Sequence, residues 1–257
     1  MNPRAPRSRR TLARFVLAGV LTLSVLAWPV STGAATAYTL DVSGSNDYVR
    51  QTNFSQCVGA SMQMMLNMIA PTDDRSAKGQ SRLQVMARAL SGRRPEGNER
   101  RGASVRGWSA GLNMLGAGPY RLVGIDTLDE AMLAAARAIR ETGRPVGLLV
   151  WQGRHAWVMG GFRATADPLT DARARVTGAV ILDPLYPYGS SVWGPSPKPR
   201  ELLTVAEVGK QFVPRRRRSS SSSTNPSFQT MSALSGKYVL VLPHDSAPVG
   251  RTTLAAS

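Results

Sequence analysis

The patterning of this chain changes period at Gly143-Arg144, and that change narrows the architectures open to it. Before that point apolar residues recur at helical spacing. Cys57 to Ile69 (CVGASMQMMLNMI) reads as an apolar helix stopped by Pro71. Ser81–Leu90 and Ser104–Leu115 read as shorter helices flanking a charged, Gly-rich loop, Gly92–Gly102. Thr127-Leu128-Asp129-Glu130 has the form of a capping box, in which the threonine accepts from the N3 amide while the glutamate reaches back. Leu128, Ala131, Met132, Ala135, Ala138 and Ile139 then hold one apolar face as far as Gly143, a residue able to close a helix.

Beyond Arg144 the texture is different. Pro145–Trp151, His155–Phe162 and Val176–Leu182 are short runs rich in Val, Leu, Ile and Trp, separated by turn formers, and they read as strands. Thr204-Val205-Ala206-Glu207 starts another capped helix, and Lys237–Leu242 is a final strand. Tyr38–Arg50 reads as an extended lead-in. Helices first and mostly adjacent strands afterwards predict an α+β domain rather than alternating βαβ units.

The N-terminus stands apart from this domain. Residues 1–14 carry Arg4, Arg7, Arg9, Arg10 and Arg14 and no acid, an apolar run follows from Phe15 to Val30, and small residues end in Ala35-Thr36-Ala37. Basic, apolar and small-residue regions in that order predict a secretory signal over 1–37. Kept uncleaved, the same segment would be an anchor. Its apolar run of 16 residues is short for a span of roughly 20. Ser8-Arg9-Arg10-Thr11-Leu12 also resembles a twin-arginine motif, so the expected export route is the general secretory one or that for folded proteins. The predicted domain runs over 38–243, interrupted by a low-complexity Arg/Ser loop at 214–226 that has nothing to bury, and ends in a flexible tail, 244–257. An exported location, secreted or at the cell surface, and a monomer are the expectations.

The formal charge of +16 falls to +11 once the five signal arginines are removed. That balance suits anionic partners such as a cell-surface polymer, or is simply a solvated basic surface. No aromatic-interleaved basic stripe is present, so nucleic acid is not an expected partner. Two histidines, one cysteine and no HExxH spacing do not supply a typical zinc site, and neither a metal nor a cofactor is expected.

The single cysteine is the chemically informative residue. Cysteines of exported proteins are ordinarily paired into disulfides, so an unpaired Cys57 is either a buried inert thiol or one kept for its reactivity. It opens the apolar helix, where unpaired amides and the positive end of the helix dipole favour thiolate. His155 follows the turn Gln152-Gly153-Arg154 at the start of a strand, a position at a sheet end suited to a base, or to a structural histidine. Asp183 ends the next strand before Pro184, where it can fix the imidazole tautomer and stabilise its cation, or merely cap a turn. Gln51, six residues before Cys57, is the preferred side-chain donor to an oxyanion, together with the Cys57 amide; Gln56 adjoins the nucleophile and should point elsewhere. His244 lies in the polar tail and is the weaker candidate base.

Taken together, Gln51 ahead of Cys57-Val58-Gly59-Ala60-Ser61, then Gly143-Arg144-Pro145-Val146, His155 opening Ala156-Trp157-Val158-Met159-Gly160, and Ile181-Leu182-Asp183-Pro184 resemble the papain-like cysteine peptidases. The chain is similar in particular to the bacterial branch around bacteriocin-leader (double-glycine) peptidases, over roughly Tyr38 to Leu242. Val58 departs from that branch, which often has glycine there. The resemblance implies a papain-like fold, with the nucleophile helix of an N-terminal helical part packed on a C-terminal antiparallel sheet. It implies Cys57 as nucleophile, His155 as base, Asp183 as orienter and Gln51 as oxyanion donor. The implied function is a thiol hydrolase, in the first instance a peptidase, working through a thioester on a peptide or protein substrate. The alternatives are an acyl or peptidyl transferase on the same machinery and a catalytically inactive binding protein on that scaffold.

Overall fold

A computed structural model of the chain describes residues 37–70, 72–91, 102–216 and 232–245. Residues 1–36 of the expected signal, Pro71, residues 92–101, residues 217–231 with most of the expected Arg/Ser loop, and residues 246–257 lie outside the described residues.

The element order begins with strand β1 (Tyr38–Asp41), followed by helices α1 (Cys57–Ile69), α2 (Ala77–Ala89) and α3 (Val105–Met114). Strand β2 (Tyr120–Ile125), helix α4 (Leu128–Thr142) and strands β3 (Val146–Val150), β4 (His155–Ala164) and β5 (Val176–Leu182) come next. A small hairpin, β6 (Gly189–Ser190) and β7 (Gly194–Pro195), precedes β8 (Glu201–Thr204), α5 (Val205–Gly209) and β9 (Tyr238–Pro243). This is a mixed α+β architecture with one antiparallel sheet of seven strands, ordered β2-β9-β3-β4-β5-β8, with β1 on β4.

Local chemistry accounts for most of the boundaries. Thr127 accepts from the Glu130 amide at the start of α4, and Gly143 closes that helix at φ 65°. The Glu130 carboxylate accepts from the Thr127 hydroxyl rather than from a backbone N–H. At α5 the full reciprocal box forms between Thr204 and Glu207. Helix α2 begins four residues earlier than Ser81, because Ser76 accepts from the Gly79 amide and caps it there.

Two strands enter the sheet from outside the expected C-terminal block. β1 pairs with the second half of β4, from Tyr38 opposite Ala164 to Asp41 opposite Gly161. β2 pairs with β9 along its whole length, Tyr120 opposite Pro243 and Ile125 opposite Tyr238. Alternation along the central strands then divides the core in two. Leu149, Ala156, Val158, Val239 and Val241 join a cluster with Val58, Met62, Met65, Trp108 and Leu112 of α1 and α3. Leu148, Val150, Trp157, Met159 and Leu240 join a second with Ala131, Met132, Ala135 and Ile139 of α4. The sheet is thus covered on both faces, α1 on one and α4 on the other. Among the described residues no helix is long and apolar enough to cross a membrane.

Candidate active site

Cys57 is the first residue of α1 and is buried. Gln56, the residue before it, offers no side-chain cap. One turn further along, Ser61 donates its hydroxyl to the carbonyl of Ala156 at 3.3 Å. That bond ties the helix to β4 at the residue next to His155, so the sulfur and the imidazole are brought together by the packing of one helix on one strand. Cys57 is close enough to His155 to favour the protonated imidazole.

His155 is the first residue of β4, paired with Val150 across a tight loop. The loop is built from Trp151 and Gln152, both at positive φ (56° and 57°), and Gly153 at 95°. Left-handed backbone at two successive non-glycine residues is costly and persists only where surrounding contacts impose it. Here Trp151 is held by its amide on the Gln211 carbonyl at 2.9 Å and by its indole N–H on the Gln211 side chain at 2.8 Å. The conformation lays the Trp151 ring over the imidazole, centroids 4.2 Å apart and planes 28° apart.

The Nε2 of His155 meets Asp183 Oδ1 at 2.7 Å, with the histidine 4% exposed and the aspartate fully buried. Nδ1 is the remaining ring nitrogen, and it is the one free to serve the sulfur. Asp183 Oδ1 also accepts from the Leu185 amide at 2.8 Å, which fixes the carboxylate, while its Oδ2 is buried without a partner. Burial opposes a charge on His155. The hydrogen bond to Asp183 outweighs it together with the hydrogen bond to Cys57 and the charges of both, and the imidazole is pushed up to about 9. At neutral pH it is therefore a cation. Tyr48 is a further neighbour: its hydroxyl donates to the Tyr186 carbonyl at 2.9 Å, and burial followed by the Asp183 charge pushes its phenol above the ordinary range.

Gln51 is buried on the same wall. Its amide donates to the carbonyl of Pro184, the residue after Asp183, at 2.8 Å. Its side-chain Nε2 donates one hydrogen to the Asn53 carbonyl at 2.9 Å, leaving a second N–H on that nitrogen, and its Oε1 is buried without a partner. Gln56 uses its side chain elsewhere, donating to Ser81 at 3.3 Å and accepting from Thr52. His244 turns its ring to the Asp245 carbonyl and interacts with none of these groups. Among the described residues no group of three His, Cys, Asp or Glu side chains is arranged to hold a metal ion.

Cys57, His155 and Asp183 thus form a continuous chain of contacts, with Gln51 tethered to the strand end that carries Asp183. Sequence reasoning missed Trp151 and Tyr48. The run Trp151-Gln152-Gly153-Arg154 between two strands was the available signal for the former; Tyr48 offers none until the lead-in folds against the Asp183 turn. No family model, no curated protein and no solved structure matches this chain.

Proposed function

We propose that this protein is an exported cysteine hydrolase of papain-like type, a peptidase in the first instance, with Cys57 as nucleophile. The reading is carried by one observation: a buried imidazole, bonded to a buried carboxylate at 2.7 Å, stands beside the sole thiol of the chain. A thiol and a base held by a third group is the arrangement that activates a nucleophile.

In this reading the Cys57 sulfur, its proton residing on His155, attacks the carbonyl carbon of a peptide bond. The C–S bond forms and the carbonyl electron pair moves to oxygen, where the Cys57 amide and the spare N–H of Gln51 receive it. Collapse breaks the C–N bond as His155 gives its proton to the departing amine, leaving a thioester. Water then attacks the thioester with His155 taking its proton, the carboxylic acid leaves, and the imidazolium–thiolate pair is restored. Asp183 stays ionised throughout, holding the ring and stabilising its cationic form.

Labelling with a thiol-directed acyl probe tests the reading. Cys57→Ala abolishes labelling, whereas undiminished labelling of that variant refutes it.

A further inference from the structure

Two buried glutamines on α2 clamp the segment that carries Gln51 and Cys57, and nothing in the reaction above uses them. Gln80 is 1% exposed and Gln84 is 4% exposed, one helical turn apart. Gln80 donates to the Arg50 carbonyl at 3.0 Å and accepts from the Thr52 amide at 2.8 Å. Gln84 donates to the Ser55 carbonyl at 2.8 Å and accepts from the Gly59 amide at 2.8 Å. Each amide therefore makes one bond in each direction, and the backbone partners leave only one orientation of its oxygen and nitrogen.

The two clamps hold different parts of the site. A carbonyl at position 50 and an N–H at position 52 point to the same edge of an extended segment, while the N–H of residue 51 points to the other. Gln80 takes the first edge and the Pro184 carbonyl takes the second, so the backbone of Gln51 is gripped between α2 and the turn after Asp183. Gln84 acts on α1. Gly59 is the third residue of that helix, and its amide is one of the four that a helix start leaves without an intrahelical partner. Gln84, from a different helix, supplies that partner. The approach is close enough that a Cβ on Gly59 would lie 2.8 Å from the Gln80 carbonyl oxygen and 2.9 Å from Gln84 Cβ, which accounts for glycine two residues after the cysteine.

We propose that Gln80 and Gln84 are positioning residues of this site, Gln80 for the oxyanion donor Gln51 and Gln84 for the first turn of the nucleophile helix. The inference rests on the reading of Cys57 as nucleophile. A glutamate at either position would set a carboxylate oxygen against a carbonyl, and an aliphatic side chain would strand two buried backbone groups, so the task selects glutamine. A displacement of about 1 Å at a reacting group is enough to slow a reaction about 10²-fold, which makes a clamp on the nucleophile's own turn consequential.

Two probes on the full chain separate the roles. Iodoacetamide alkylates a thiolate without forming an oxyanion, whereas 4-nitrophenyl acetate acylates it through one. Gln84→Met should slow both reactions about tenfold. Gln80→Met should slow acetylation about tenfold and leave alkylation within about twofold. Gln63→Met, which removes the bond from the buried Gln63 to the Ser76 carbonyl at 3.2 Å, serves as the control and should leave both rates within about twofold. Folded Gln80→Met and Gln84→Met proteins that match the wild type with both probes overturn the positioning role. Should neither variant fold, amide exchange in the wild type decides: slow exchange at Thr52 and Gly59 supports the clamps, and exchange as fast as at exposed loop amides overturns them. A wild-type thiol alkylated no faster than free cysteine, with its midpoint near the ordinary value of about 8.5, instead overturns the nucleophile reading.

Discussion

Replacing Asp183 with asparagine removes a charge from the site while keeping an oxygen able to accept from His155 and from the Leu185 amide. In the wild type the imidazole stands at about 9 against an ordinary 6.5, although burial lowers it, so its neighbours favour the cation by a net of about 3 kcal/mol. The hydrogen bond to Asp183 is the largest of the raising influences, and the carboxylate charge adds to it. In Asp183→Asn the charge is lost and the hydrogen bond weakens, leaving that weaker bond and the Cys57 contributions to oppose burial. The His155 midpoint should fall by at least about one unit, about 1.4 kcal/mol. Proton-detected NMR of the two histidine Cε1 positions, assigned with a His244→Gln variant, follows this directly through the neutral and alkaline range. The sign is fixed by the direction of the shift: the imidazolium is present below about 9 and lost above it, so proton donation to a leaving amine also fails as pH rises through that value. A wild-type His155 that titrates at 6.5, or an Asp183→Asn protein whose His155 still titrates near 9, refutes the electrostatic argument.

Gln51→Ala should lower turnover of an acyl substrate about 10²–10³-fold while iodoacetamide alkylation of Cys57 changes little, because only the former passes through an oxyanion; equal losses with both probes would remove Gln51 from that role. Trp151→Ala takes away a stacked ring, an interaction of about 1 kcal/mol, and opens the His155–Asp183 bond to water. The low-field Nε2 proton of His155 should then exchange faster with solvent, and an unchanged exchange rate would show that the ring is not a shield. The double variant His155→Leu, Asp183→Leu should unfold at a temperature equal to or above that of the wild type while Cys57 loses its fast alkylation; marked destabilisation would mean that the pair serves the fold.

The parts of the fold legible in the sequence are those fixed by local chemistry. Cys57–Ile69 is a helix because its neighbours in the chain already make it one, and Thr127 and Gly143 bound α4 through bonds within a few residues. Tyr120–Ile125 went unread although Tyr, Val and Ile favour strands, because the adjacent Leu122-Val123 and the glycine at 124 break the alternation that marks one. It is extended because Tyr238–Pro243 lies beside it, and that partner is more than a hundred residues away. The site divides in the same way. Cys57, His155 and Asp183 could be picked out because cysteine and histidine are scarce here and each falls at an element end. Gln80 and Gln84 could not: glutamines on a helix look like solvated surface until α2 packs against the loop and the backbone of residues 50–59 needs partners.

The Asp183–His155 pair is hard to explain as a device for stability. Moving a carboxylate and an imidazolium out of water has a large penalty, and attraction between them recovers it only when the remaining polar atoms are also satisfied. Here Oδ1 is satisfied twice, by His155 and by the Leu185 amide, while the buried Oδ2 meets no protein partner among the described residues. A pair of leucines in the same space would forgo the attraction and the penalty together. What leucines cannot do is keep a proton on a ring nitrogen at neutral pH beside a sulfur. The surrounding structure invests in that capacity repeatedly: Leu185 fixes the carboxylate, Trp151 is held in a strained backbone to cover the ring, and Ser61 ties the cysteine helix to the residue after the base. Restraints of this kind around a buried charge are expected where its position matters more than its contribution to folding, as in a site organised before its substrate arrives.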